Sequence, residues 1–155
     1  ASSLCVRQTE MIERYWRYVD SSADPANHAL AGRWELQLQP TDVKPSPVHP
    51  RFWVEVLLMP DHRYTATCYR VQRPGDRPEA CRLASGYWLA EGGLLGLQET
   101  QKHVLMEQQP MQWYPYLYYE GPLDREAMKV TFAKQQGPAF VFRRVGDLPL
   151  AMTAE

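Results

Sequence analysis

Arg33-Trp34-Glu35-Leu36-Gln37-Leu38-Gln39 places a large apolar side chain at every second position and a charged or amide side chain between them. Only an extended chain sends those two sets to opposite faces, so the stretch predicts a strand with one buried and one wet side. The two-residue rhythm continues through most of the downstream chain. Phe52, Val54, Val56 and Leu58 share one face of residues 51–59, with Trp53, Glu55 and Leu57 on the other. Further strands are predicted over residues 64–71, 81–89, 94–99, 103–108, 113–119, 127–134 and 139–145. The punctuation between them is short and rich in turn formers: Pro60-Asp61-His62, Arg73-Pro74-Gly75-Asp76, Glu91-Gly92-Gly93, Gly121-Pro122-Leu123-Asp124 and Gln136-Gly137-Pro138. A parallel return needs a crossover of about a dozen residues or more, so turns this short make neighbouring strands antiparallel. A meander of about eight to nine such strands removes its edges by closing, and the fold class predicted is mainly β: an antiparallel up-and-down barrel. Residues 40–50, with Pro40, Pro45, Pro47 and Pro50, read as an extended loop between the first two strands.

Upstream of the strands the period changes. Leu4, Met11, Ile12, Tyr15, Trp16, Tyr18 and Val19 recur near the helical spacing, with Arg7, Glu10, Glu13 and Arg14 between them. That pattern predicts an amphipathic helix within residues 1–22, begun at Ser2 or Ser3 and closed by Asp24-Pro25. Residues 1–155 are expected to form one domain, the helix followed by a barrel over residues 33–146. The 17 Lys and Arg nearly balance 18 Asp and Glu, and no basic run occurs, so nucleic acid and anionic membranes are not expected partners. No apolar run approaches the roughly 18 residues of a spanning helix, and no membrane insertion is expected. The N-terminus shows no basic, then apolar leader, so any export signal would already have been removed.

Ala31-Gly32-Arg33-Trp34 has a Gly-x-Trp form at the head of the first strand, and Phe140-Val141-Phe142-Arg143-Arg144 forms the last. This combination resembles the lipocalins and other calycin barrels. The resemblance implies a lipocalin-like closed end in which Gly32 and Trp34 open the first strand and an arginine, Arg143 or Arg144, packs across the indole. A guanidinium there gains cation–π attraction and can donate to nearby carbonyls. Calycin proteins that attach bilins also carry a helix before such a strand, whereas the long helix departs from the short turn of secreted lipocalins.

Several residues stand out chemically. A turn centred on Pro74-Gly75 sets Cys68 opposite Cys81 across one hairpin, which makes a disulfide geometrically possible; two buried free thiols are the alternative. An oxidised pair would imply a secreted, periplasmic or organelle-lumen protein, and a reduced pair a cytoplasmic one. Cys5 is left over, as a packed thiol on the helix or a site of modification or pairing. Trp113-Tyr114-Pro115-Tyr116-Leu117-Tyr118-Tyr119 is the densest aromatic segment, and strand alternation must turn one of its faces inward. Inward Phe52, Tyr64, Trp88, Tyr116 and Tyr118 are expected to shape a cavity for a small apolar or aromatic ligand, with Arg70 or Arg82 offering charge to an acidic head group. So many rings can equally fill the barrel, which would leave a protein-interaction or accessory domain using the helix around Arg7, Glu10 and Arg14 or the loop over residues 41–49. His28, His49, His62 and His103 fall in loops or at strand ends without ligand spacing, and no metal site is expected. Glu91, Glu99, Glu107, Glu120 and Asp124 lie near turns, no catalytic motif is present, and no cofactor beyond a non-covalent ligand is implied. A chromophore-lyase-like enzyme on the same barrel stays open, since distant strands can assemble a site.

Overall fold

The chain enters the barrel through a 3-10 helix, Pro25–Leu30, whose first residue has the φ a helical turn requires and no N–H to leave unpaired. Leu30 at its end is fully buried, and the main chain then extends into β1 (Gly32–Leu36). The computed structural model describes residues 13, 25–37, 51–102, 118–133 and 139–149. Within them β1 is followed by β2 (Arg51–Leu58), β3 (Arg63–Val71), β4 (Glu79–Glu91), β5 (Leu94–Lys102), β6 (Tyr118–Asp124), β7 (Lys129–Phe132) and β8 (Phe140–Gly146). Each strand pairs antiparallel with its sequence neighbours, and β8 returns to β1, so the eight strands form a closed barrel in up-and-down order. The expected fold class is therefore observed. The helix expected within residues 1–22 lies, apart from Glu13, outside the described residues, as do the proline-rich loop, the strand expected over 103–108 and the aromatic residues 113–117.

One turn falls elsewhere than expected. Gly121-Pro122-Leu123-Asp124 belongs to β6, and the chain reverses over residues 125–128. Asp124 decides this, because its Oδ1 accepts the main-chain N–H groups of Glu126 and Ala127, both at 3.0 Å, and Met128 adopts φ 52° to complete the reversal. Pro122 is tolerated because it sits opposite Leu94 at the very end of the β5–β6 ladder.

Two extra residues control which side chains face inward. Thr67 pairs with Arg82 and Ala66 with Ala84, so Leu83 is a bulge in β4. Ser85 pairs with Gln101 and Gly86 with Glu99, which makes Thr100 a bulge in β5. A bulge reverses the alternation beyond it. Hence Cys81 and Trp88, seven positions apart, lie on the same inner face as Cys68 and Tyr64. At the second bulge the strands approach so closely that a Cβ on Gly86 would collide with the Gln98 carbonyl.

The core gathers at the end of the barrel covered by the 3-10 helix. Trp34, Leu58, Tyr64, Trp88, Leu95 and Val130 are buried there, with Phe132 edge-on to Phe142 at 6.0 Å between ring centres. The cavity left among Trp34, Val56, Leu97 and Phe132 measures only about 10 Å³, so this half is solid. The outer face is not uniformly wet. Glu55, Leu57, Leu89 and Gln98 are buried although alternation turns them outward, consistent with unbroken apolar runs such as Val56-Leu57-Leu58 and Trp88-Leu89-Ala90.

The closed end is locked by Trp34 and Arg144, which are partners across β1 and β8. The indole Nε1 donates to the Leu30 carbonyl at 2.9 Å, and the Arg144 guanidinium donates twice to the Ala31 carbonyl, at 2.9 and 3.1 Å. Gly32 makes that approach possible, since a Cβ there would lie 2.6 Å from the Gly146 carbonyl oxygen and 2.7 Å from Arg144 Nε. Arg143, the other expected candidate, is exposed on the outer face opposite Glu35 and Lys129. Trp34→Ala should lower the unfolding free energy by about 3–5 kcal/mol through the cavity it opens. Arg144→Met should lower it by about 1–3 kcal/mol by removing the charged donor to Ala31. Urea unfolding followed by intrinsic fluorescence measures both, and unchanged midpoints would contradict this account of the closed end.

Candidate ligand site in the barrel interior

Along the inner face of β1, β2 and β3, burial falls away from the 3-10 helix. Trp34, Val56, Leu58, Tyr64 and Trp88 are sealed, whereas Leu36, Val54, Ala66, Cys68, Tyr119 and Phe140 on the same face are half-buried. Phe52, one step farther out on β2, is 40% exposed. An inward side chain keeps contact with water only where the space before it is unfilled, so the interior is solid at one end and accessible at the other. At the accessible rim Phe52 pairs with Arg70 and Arg70 with Glu79.

Two polar groups of the interior, Glu99 and Tyr119, lie on β5 and β6. Glu99 is buried and follows Leu97 on the inner face, opposite Gly86 of β4. Tyr119 faces inward opposite Leu97, edge-on to Phe132 at 6.1 Å. Burial pushes the Tyr119 phenol above its ordinary value of 10.0, and the nearby Glu99 carboxylate adds to the shift, because both disfavour a second negative charge.

The residues singled out from the sequence separate into distinct places. Tyr64 and Trp88 are inside, but in the solid half, where they are core. Phe52 and Arg70 stand at the rim. Arg82, expected as an alternative inward charge, is on the outer face, because the register that pairs it with Thr67 gives it the opposite orientation to Arg70. There it belongs to a surface cluster in which Trp53 stacks on Tyr69 at 5.3 Å and the Tyr69 hydroxyl donates to Glu55 at 3.3 Å. Burial first and then Glu55 raise the Tyr69 phenol, while Arg82 and Arg33 pull it down. Tyr118, expected to face inward, also lies outside: its hydroxyl donates to Glu120 at 2.6 Å, and its ring fills the space over Gly96. The inward ring of the pair is Tyr119, and Tyr116 lies outside the described residues.

His62 is the residue whose importance the sequence understated. It adopts φ 65° in the β2–β3 turn, lies 1% exposed, and stacks on Trp88 at 4.2 Å. Its Nδ1 donates to the Trp88 carbonyl at 2.9 Å, and Trp88 Nε1 donates to Met59 at 2.9 Å, so imidazole and indole together seal one corner of the solid end. Nε2 has no hydrogen-bond partner among the described residues. The available signal was slight: histidine is enriched among the few non-glycine residues that take positive φ. Among the described residues no three His, Cys, Asp or Glu side chains gather to hold a metal, and no helix is long and apolar enough to cross a membrane.

The Tyr119 environment carries a sign that can be measured. A phenol held neutral by the fold contributes its full stability below pH 10, and that contribution is lost as the pH rises through the elevated native value. Glu99→Gln should bring Tyr119 ionisation down toward pH 10 without restoring it fully, because burial is the larger cause. Phenolate absorbance, taken as a difference against Tyr119→Phe, reads the shift; an unchanged titration in Glu99→Gln would separate the two groups.

No protein-family model, curated protein or solved structure matches this chain.

Proposed function

We propose that this chain is a calycin-like, non-catalytic binding protein that holds a small apolar or aromatic molecule in the accessible half of its barrel. The single observation that carries the reading is the graded interior: inward apolar side chains are sealed beside the 3-10 helix and half-buried at the opposite end. A ligand seated there would lie against Val54, Ala66 and Phe140, with buried Glu99 and half-buried Tyr119 as polar groups within the wall and Phe52 and Arg70 at the rim. Apolar lining with few fixed polar groups is what such pockets ordinarily combine. The calycin reading is supported by the 3-10 helix ahead of Gly32-Arg33-Trp34 and by Arg144 reaching from the last strand to Ala31. Glu99 refines the expected ligand, since a buried carboxylate disfavours an acidic group placed deep and accepts from a hydroxyl, amide or amine.

One observation favours a second reading, a filled barrel that serves as a protein-interaction domain: the packed half leaves a cavity of only about 10 Å³. Native mass spectrometry of freshly purified protein discriminates, because a carrier retains a small mass and a filled barrel does not. In a thermal-shift panel of fatty acids, retinoids, haem and bilins, a ligand at about 100 times its Kd should raise the midpoint by roughly 5–10 °C. Val54→Trp, which fills the accessible half, should abolish that rise while lowering the unliganded stability by about 1–3 kcal/mol. No retained mass and no shift across the panel would leave the interaction domain as the better account.

A further inference from the structure

Cys68 on β3 and Cys81 on β4 are direct partners across the hairpin, and both are free thiols. In an antiparallel pair, directly opposed Cα atoms lie about 4.5–5.5 Å apart, inside the roughly 4.4–6.8 Å that a disulfide spans. The register cannot easily slip. On one side the turn is set by Gly75 at φ 90° and by the Asp76 N–H donating to Arg73 at 3.1 Å; on the other the Leu83 bulge pins the strands. Each sulfur now leans toward the carbonyl of the following residue, Tyr69 or Arg82, at 4.0 Å. Contacts that long hold little energy, so turning the two side chains toward each other requires rotation about Cα–Cβ and no movement of the main chain. The pair is also electrostatically coupled: burial and then the charge on Cys81 raise the Cys68 thiol, and Arg70 opposes them.

We propose that Cys68 and Cys81 form a dithiol–disulfide couple that exchanges electrons with a small-molecule disulfide of the glutathione type. The exposed Cys81 makes the first attack, because an external disulfide can reach it, and the half-buried Cys68 resolves the adduct. The Cys81 thiolate attacks one sulfur of oxidised glutathione, the glutathione S–S bond breaks, and one glutathione thiolate leaves and takes up a proton. The Cys68 thiolate then attacks the Cys81 sulfur of the mixed disulfide and expels the second glutathione. Two protein thiols give up two electrons and two protons, and one external disulfide accepts them as two thiols. The product ties β3 to β4 beside the accessible rim, and this inference stands whatever the barrel binds.

The test equilibrates the whole chain in glutathione buffers from fully reducing to fully oxidising, quenches with acid, alkylates with iodoacetamide and maps the peptides by mass. Oxidising buffers should produce a peptide linking positions 68 and 81, and reducing buffers should reverse it. Cys68→Ser should stop at a glutathione adduct on Cys81. The proposal is overturned if both positions stay alkylated at every ratio, if each carries its own glutathione without a link, or if the link instead joins Cys5. Should Cys68→Ser fold poorly, the linked peptide of the unaltered chain decides alone.

Discussion

β1 pairs with β2 on one side and with β8 on the other, and that second ladder turns eight strands into a wall without an edge. An open meander of the same sequence would expose two rows of unpaired N–H and C=O groups and would have no interior. Closure is demanding at one point above all. Where Arg33 pairs with Gly146 and Trp34 with Arg144, Val145 is squeezed out as a bulge, and the strands approach so tightly that only a glycine fits at Gly32. The Arg144 guanidinium then occupies the space a side chain would have taken and satisfies the Ala31 carbonyl, which otherwise ends the 3-10 helix without a partner from the barrel. Its ion pair with the exposed Asp147 adds little by comparison.

From that locked end the interior changes character along its length. Two indoles, Trp34 and Trp88, each donate their N–H to a main-chain carbonyl, Leu30 and Met59, so large rings are buried there without an unsatisfied donor. His62 extends the stack and closes the β2–β3 turn over it. Farther along, smaller or half-buried side chains replace the rings: Ala66, Val54 and Cys68 face inward where Tyr64 and Leu58 faced inward before. The difference between a solid half and an accessible half is thus a matter of side-chain volume in successive layers of one wall. Glu99 and Tyr119 give that wall a polar spot, where burial and then the Glu99 carboxylate raise the Tyr119 phenol.

Bulges do as much as alternation to assign faces. Leu83 lets Cys81 and Trp88 point the same way, and Thr100, beyond Glu99, reverses the alternation of the last residues of β5. Without Leu83, pairing that keeps Cys68 opposite Cys81 would turn Trp88 outward, away from His62 and the core. One inserted residue therefore serves both the packed end and the thiol pair.

Strand rhythm was legible in the residues themselves, because a period of two is imposed by backbone geometry and survives in any tertiary setting: Trp34, Leu36, Val54, Val56 and Leu58 were all placed on the correct face. The Pro74-Gly75 turn likewise announced the Cys68–Cys81 pairing, since turn geometry sets register locally. What the chain could not reveal alone was anything that depends on counting across a bulge or on burial by distant strands. Tyr118 and Tyr119 are adjacent and chemically equivalent, and only the pairing of Leu97 with Tyr119 decides which ring is inside. Arg82 was placed outward by register, and Glu99, which resembled a surface charge near a turn, continues the inner face of Leu95 and Leu97 and is buried by the strands around it. His62 looked like an ordinary turn residue until Trp88 came to lie against it from the far end of another strand. Local geometry is written in the order of side chains, whereas burial is a property of neighbours that only the closed barrel assembles.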